Sequence, residues 1–278
     1  MPESLFLSTA LFLGFAALAG LVLGSFATCA GHRLAKGGSV LSPAFSYCPA
    51  CGHTLTLREN IPLLGYLFQW GKCRFCGGRI PARYPLTELL SGGFALAAAY
   101  VFGPTPHLLA ALVFATLCLV LSLIDLETYL LPDVLTLPGA VAAFLCSALL
   151  PPHWTLGIGW EMALYGALAG GGGLWLISEL YRRVRGVDGL GLGDAKLMLL
   201  FGALLGPAAV PVILFAGACL ALPAGLLAMR RNAAEGGEGS EGGLHTRLPF
   251  GPFLCAGALG FLLAGPLLFH AWLGLPLP

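Results

Sequence analysis

The chain has 278 residues, of which 58% are hydrophobic and only 10% charged, with a formal net charge of +1. A soluble domain carries about 25% charged residues, so this composition excludes an ordinary soluble enzyme and marks a polytopic membrane protein. Near-neutral charge, with no basic stripe interleaved with aromatics, also excludes an extended nucleic-acid surface.

Apolar stretches of about 17 to 25 residues are long enough to span a bilayer as helices. They predict an all-α membrane protein of about eight spans: 5 to 27, 86 to 103, 107 to 124, 134 to 150, 160 to 180, 192 to 206, 208 to 229 and 251 to 274. The first has Glu3 before it and Arg33 and Lys36 after it, the reverse of a secretory signal, so it is expected to be retained. Gly and Ala in the span interiors, the Gly170 to Gly173 run above all, let helices approach closely. Gly206-Pro207 alone separates the sixth span from the seventh. With the amino terminus outside, every Lys and Arg falls on the cytoplasmic side, as basic residues flanking spans do. No internal repeat is apparent.

Residues 31 to 85 form a polar loop between the first two spans. It carries Cys48-Pro-Ala-Cys51 and, after twenty-one intervening residues, Cys73-Arg-Phe-Cys76. Paired Cys-x-x-Cys knuckles point to a closed tetrahedral zinc site formed by Cys48, Cys51, Cys73 and Cys76, structural because no ligand position stays open. A reducing compartment disfavours the alternative of two disulfides, and a redox motif needs no second knuckle. His53 could replace one cysteine but reads better as a surface residue. The other five cysteines lie in or beside apolar spans, as small hydrophobes. A second polar stretch, 232 to 246, is a Gly/Glu/Ser/Ala sequence that reads as a flexible linker.

Two acids carry the chemistry. Asp125 ends an apolar run in Ser122-Leu-Ile-Asp125, and Asp194 lies in Gly189-Leu-Gly-Leu-Gly-Asp194. Ionisable groups at membrane depth are costly, which makes each a functional candidate. The predicted topology puts both on the cytoplasmic face. Two neighbouring carboxylates share a proton, so one can activate water while the other protonates a leaving group. The competing reading makes them interfacial helix caps, with Asp194 neutralised by Lys196 or by the Arg182 to Arg185 cluster. A dinucleotide fingerprint, a Ser/His/Asp triad and a helical zinc-protease motif all lack their required context.

The ordered motifs Gly24-Ser-Phe26, Cys48-Pro-Ala-Cys51, Asn60-Ile-Pro-Leu-Leu64, Gly71-Lys-Cys-Arg-Phe-Cys76, Arg83-Tyr-Pro-Leu-Thr-Glu88, Ile124-Asp-Leu-Glu127, Leu131-Pro-Asp133, Gly191-Leu-Gly-Asp-Ala-Lys196 and Pro249-Phe-Gly-Pro-Phe253 run nearly end to end. In these the chain resembles type 4 prepilin peptidases. The resemblance implies a Gly-x-Gly-Asp aspartic endopeptidase, with Asp125 and Asp194 as the catalytic pair and Asp133 in support. It also implies methylation of the new amino terminus by S-adenosylmethionine, for which Gly71 and Lys72 are the candidate binding residues. Type IV prepilins or pseudopilins are the implied substrates and the bacterial inner membrane the implied location. The implied organisation is a first membrane helix (1–30), a cytoplasmic zinc-binding loop domain (31–85) and a transmembrane peptidase domain (86–278). One departure is local: Ala27-Thr28-Cys29-Ala30-Gly31-His32-Arg33 stands where the family usually has an asparagine after Gly-Ser-Phe. Two other functions compete, a presenilin-like intramembrane protease and a non-enzymatic assembly factor using its zinc loop. A transporter lacks the expected pairs of broken helices. Glu59 and Glu88 are the acids available to a basic substrate leader.

Overall fold

The computed structural model describes residues 3–40, 45–153, 155–186, 191–234 and 248–273. The proposed linker therefore lies almost wholly outside the described residues, as do Gly189 and Leu190. Among the described residues there is no strand. Each of the eight apolar segments is helical: α1 (Glu3–Ala35), α3 (Arg83–Phe102), α4 (Pro106–Thr128), α5 (Asp133–Leu149), α6 and α7 (Trp160–Ala167 and Gly173–Arg185, joined by a π-turn over Leu168–Gly172), α8 (Leu192–Leu205), α9 (Ala209–Ala234) and α10 (Gly251–Leu273). The ninth sequence-local element is a five-residue helix inside the cysteine loop, α2 (Leu64–Phe68).

These lengths do not by themselves confirm eight full crossings. Among the described residues four helices are long and apolar enough to cross a membrane: Ser8–Ala35, Arg83–Phe102, Pro106–Thr128 and Ala209–Arg230. The 17 residues of α5 and 14 of α8 rise only about 26 and 21 Å, short of the ~30 Å of hydrocarbon.

The chain divides into two units, Met1–Thr128 and Tyr129–Pro278. In the first, α1 packs along α3 through small residues. A Cβ added at Gly20 would lie 2.4 Å from the Ala95 Cβ, and one at Gly24 would lie 2.8 Å from the Glu88 Cα. The Thr28 and Thr87 hydroxyls meet across this seam at 2.5 Å. Interhelical hydrogen bonds in bilayers average about 0.6 kcal/mol, so the close backbone approach carries most of the association.

In the second unit α8 is buried around most of its circumference, with Leu197, Met198, Leu200 and Phe201 at or below 1% exposure. From Leu197 onward it is apolar on all sides, as an interior helix must be. Gly166 of α6 and Gly202 of α8 cross backbone against backbone: a Cβ on either would fall 2.0 Å from the other's carbonyl oxygen. Gly170 and Gly171 continue that contact, 2.3 Å from the Met198 carbonyl oxygen and 2.4 Å from the Leu199 Cβ, whereas Gly172 and Gly173 meet nothing within 4 Å. Half of the glycine run is thus a packing device. The buried Ser147 hydroxyl donates to the Leu204 carbonyl at 2.9 Å, tying α5 to the same helix.

Candidate functional site

Cys48, Cys51, Cys73 and Cys76 converge, their sulfur atoms all within 4.8 Å of one another. Cys48 Sγ and Cys76 Sγ are 3.9 Å apart, too far for a disulfide and close to the ~3.8 Å edge of a tetrahedron with 2.3 Å zinc–sulfur bonds. The donor set therefore fits zinc. Both knuckles are built by one backbone turn. Cys48 N donates to the His53 carbonyl and Cys73 N to the Gly78 carbonyl, each at 2.8 Å, while Gly52 N and Gly77 N return to the Cys48 and Cys73 carbonyls, each at 2.9 Å. Gly52 and Gly77 take φ of 72° and 69°, a conformation open to glycine at little cost. The loop thus repeats a Cys-x-x-Cys-Gly unit, a short-range repeat that the sequence displays and that a search for long internal repeats passes over.

The thiols differ in acidity. Backbone hydrogen bonds from Cys76 and Phe75 pull Cys73 down to about 7. At Cys51 the His53 backbone hydrogen bond is outweighed by desolvation and the neighbouring thiols, pushing it up to about 12. His53 stays out of the sulfur cluster and lays its ring over Phe75, centroids 3.4 Å apart.

Gly71 and Lys72 have a structural role here. Gly71 takes φ 68°, and its N–H and C=O bond Tyr66 O and Ile80 N. A Cβ there would sit 2.9 Å from the Tyr66 hydroxyl. Neither residue lines the cavity that opens between α1, α3 and the cysteine loop, whose lining includes Tyr47, Asn60, Tyr66 and Gln69. Aromatic rings and carboxamides are groups able to hold a purine nucleoside.

Asp125 lies in the last turn of α4 and is 5% exposed. Around that helix end sequence reasoning missed a cluster. Arg83 Nη1 donates to Glu127 Oε1 at 2.5 Å, and His32 Nδ1 lies 3.3 Å from both Glu127 Oε1 and Arg83 Nη2. Three helices are joined at the level of Asp125, two residues away. The partners are separated by 44 to 95 positions, so no local spacing announces them. Their one sequence signal is a charged residue flanking each span.

Asp194 lies in the first turn of α8, after Gly191 with φ −65° and ψ 128°. Asp133 opens α5 and accepts from Lys196 Nζ at 2.5 Å. Lys196 therefore reaches Asp133, where the helix-cap reading had given it to Asp194. Asp125 belongs to the first unit, Asp133 and Asp194 to the second. The two acids proposed for a basic leader are occupied. Glu59 accepts from Thr56 N and Oγ1, each at 2.8 Å, which holds its carboxyl below the usual range. Glu88 is 7% exposed and accepts from Leu63 N at 2.7 Å.

Two family models match the chain: a bacterial peptidase A24 N-terminal domain over residues 18–102 and the type IV leader peptidase family over 112–226. A prepilin leader peptidase/N-methyltransferase of Burkholderia pseudomallei is 38% identical over 283 residues, covering 93% of this chain and 87% of the relative. Relatives of the same name in Klebsiella pneumoniae and Pseudomonas aeruginosa are 42% and 36% identical, over 71% and 82% of this chain and 86% and 74% of their own lengths. No solved structure matches. With ordered motifs, both domain matches and near end-to-end similarity in agreement, this chain belongs to the prepilin leader peptidase/N-methyltransferase family.

Proposed function

We propose that the protein cleaves the leader peptide of type IV prepilins and pseudopilins at the cytoplasmic face of the bacterial inner membrane and then methylates the new amino terminus. The observation that carries this is similarity over 93% of the chain to a relative of both activities. Asp125 and Asp194 act as a pair that shares one proton, one taking the proton of the attacking water and the other giving one to the departing amine. The burial of Asp125 and the first-turn position of Asp194 support this reading. Asp133 assists, ion-paired to Lys196. Eight helical passes with the amino terminus outside, including the shorter α5 and α8, put these acids and the zinc-binding loop domain on one side of the bilayer.

Zinc, held by the four cysteines, is structural. S-adenosylmethionine, when bound, supplies an electrophilic methyl group; Tyr47, Asn60 and Tyr66 would hold it. With Glu59 and Glu88 engaged internally, the substrate's apolar stem dominates recognition through packing against Gly- and Ala-rich helices.

Incubating purified protein with a prepilin and labelled S-adenosylmethionine tests the whole reading. The expected product has lost its leader mass and gained one labelled methyl. A soluble peptide without the apolar stem should be cut poorly; cleavage at the full precursor's rate would remove the membrane helix from recognition. The Arg83, Glu127 and His32 cluster gives a separate expectation. Partly exposed ion pairs contribute about 1 kcal/mol or less, so Glu127→Gln should barely change thermal stability. It should nevertheless lower kcat several-fold at constant KM, because it loosens the helix end bearing Asp125, and Glu127→Asp should restore part of the rate.

A further inference from the structure

The helix α2 sits deeper than a loop element should. Leu63, immediately before it, donates its N–H to Glu88, and Glu88 lies five residues inside α3. At 1.5 Å per residue that is about 7.5 Å below Arg83, the helix start. Since the 20 residues of α3 only just cover the ~30 Å hydrocarbon thickness, the start of α2 lies at the boundary between headgroups and acyl chains. The placement is fixed from both ends. Leu63 and Trp70 bracket the helix with φ of 59° and 50°, conformations a bulky residue keeps only where its surroundings impose them. Gly65 is buried against the Glu59 carbonyl, where a Cβ would come within 2.2 Å.

Gly65 faces inward, and one side of α2 is turned away from the protein. Leu64, Leu67 and Phe68, related by three and four residues, lie on that face and are 46%, 62% and 71% exposed; Trp70 follows at 86%. Lys72 and Arg79, paired through a backbone bridge, are exposed beside this turn. From 36 to 82 the chain has five basic residues, Lys36, Arg58, Lys72, Arg74 and Arg79, against the single acid Glu59, whose carboxylate is bound to Thr56.

We infer that α2 and Trp70 form an interfacial membrane anchor, with Leu64, Leu67, Phe68 and Trp70 seated in the acyl boundary of the leaflet at the Arg83 end of α3 and with Lys72 and Arg79 on lipid phosphates. The occupant of this apolar face is the bilayer that α3 itself crosses. Tryptophan at the headgroup level, apolar side chains below it and cations facing anionic lipid are what such an element requires. The anchor holds the zinc knuckles and the cavity beneath them against the membrane surface, where a substrate with an apolar stem would present its amino end. The inference rests on α3 crossing the membrane, which the proposed function also assumes.

The test uses the zinc-loaded, full-length protein in vesicles of phosphatidylcholine, with and without phosphatidylglycerol, and lipids brominated along the acyl chain. The chain has five tryptophans; the difference between wild type and Trp70→Phe isolates the Trp70 signal, and zinc content checks that the variant's loop is folded. Trp70 emission should be blue-shifted, strongly quenched by brominated lipid and little affected by aqueous iodide. Phosphatidylglycerol should strengthen the quenching, and the Lys72→Gln/Arg79→Gln variant should lose that increment. Iodide-accessible Trp70 emission that brominated lipid leaves untouched, while the other tryptophans stay lipid-quenched, overturns the anchor but not the membrane reading. Protection of Trp70 only on adding a prepilin, or only at high protein concentration, overturns it too and assigns the face to substrate or to a second copy. If no tryptophan is lipid-quenched and alkaline carbonate extracts the protein, the spanning assignment itself fails.

Discussion

Asp125→Asn and Asp194→Asn are each expected to lower prepilin cleavage by roughly four orders of magnitude, and the double variant should be no worse than either alone, because members of an acid/base unit do not lose activity additively. Stability should divide the two variants. Asp125 lies in the last turn of α4, nearly fully buried, where the helix dipole disfavours a negative charge. A neutral asparagine there should keep or raise the melting temperature. Asp194 lies in the first turn of α8, where the dipole favours an anion by about 0.3–1 kcal/mol, so Asp194→Asn should be neutral or slightly destabilising. Activity and melting temperature measured on the same preparations check both statements. A residue kept at a cost to stability is serving the reaction, and substantial cleavage by either variant would remove that residue from the mechanism.

The second large effect concerns the metal. Cys73→Ser, or substitution of any one of the four cysteines, should abolish stoichiometric zinc, about one per chain in the wild type, and expose residues 45 to 82 to proteolysis. Here metal binding and folding are one free energy, because apart from the two knuckle turns and α2 this segment has no regular structure to fall back on. Protons compete with zinc for thiolates, so acidification should release the metal. Elemental analysis and limited proteolysis across a pH series read both effects; an equally ordered loop in metal-free protein would reject the structural role.

The eight apolar segments and the four-sulfur cluster were legible because each signal is local: a run of apolar residues, or a knuckle with its glycine. Boundaries moved where polar residues belong to a helix. α1 runs on through His32 and Arg33 to Ala35, well past the apolar limit at 27, since a helix leaving a bilayer need not stop at its edge. α2 escaped notice because five residues give no helical period. The pairings of Arg83 with Glu127 and of Lys196 with Asp133 span 44 and 63 positions and arise only when helices pack. The same holds for Glu59 and Glu88, whose carboxylates look available on paper and are consumed by backbone N–H groups of the loop.

The π-turn at Leu168–Gly172 has a consequence for how this gene can change length. A π-turn is an α-helix holding one residue too many, and each residue sets the direction of everything beyond it by about 100°. Inserting one more residue among Gly170 to Gly173 would swing Leu174 and Ser178, the buried residues of α7, about a quarter-turn away from the faces they now fill, whereas deleting one removes the surplus and returns an ordinary helix in the same register. The four glycines are therefore a counted interval. Point changes at Gly172 and Gly173, where a Cβ would meet nothing within 4 Å, should be accepted freely, and a single-codon deletion there should be tolerated better than a single-codon insertion.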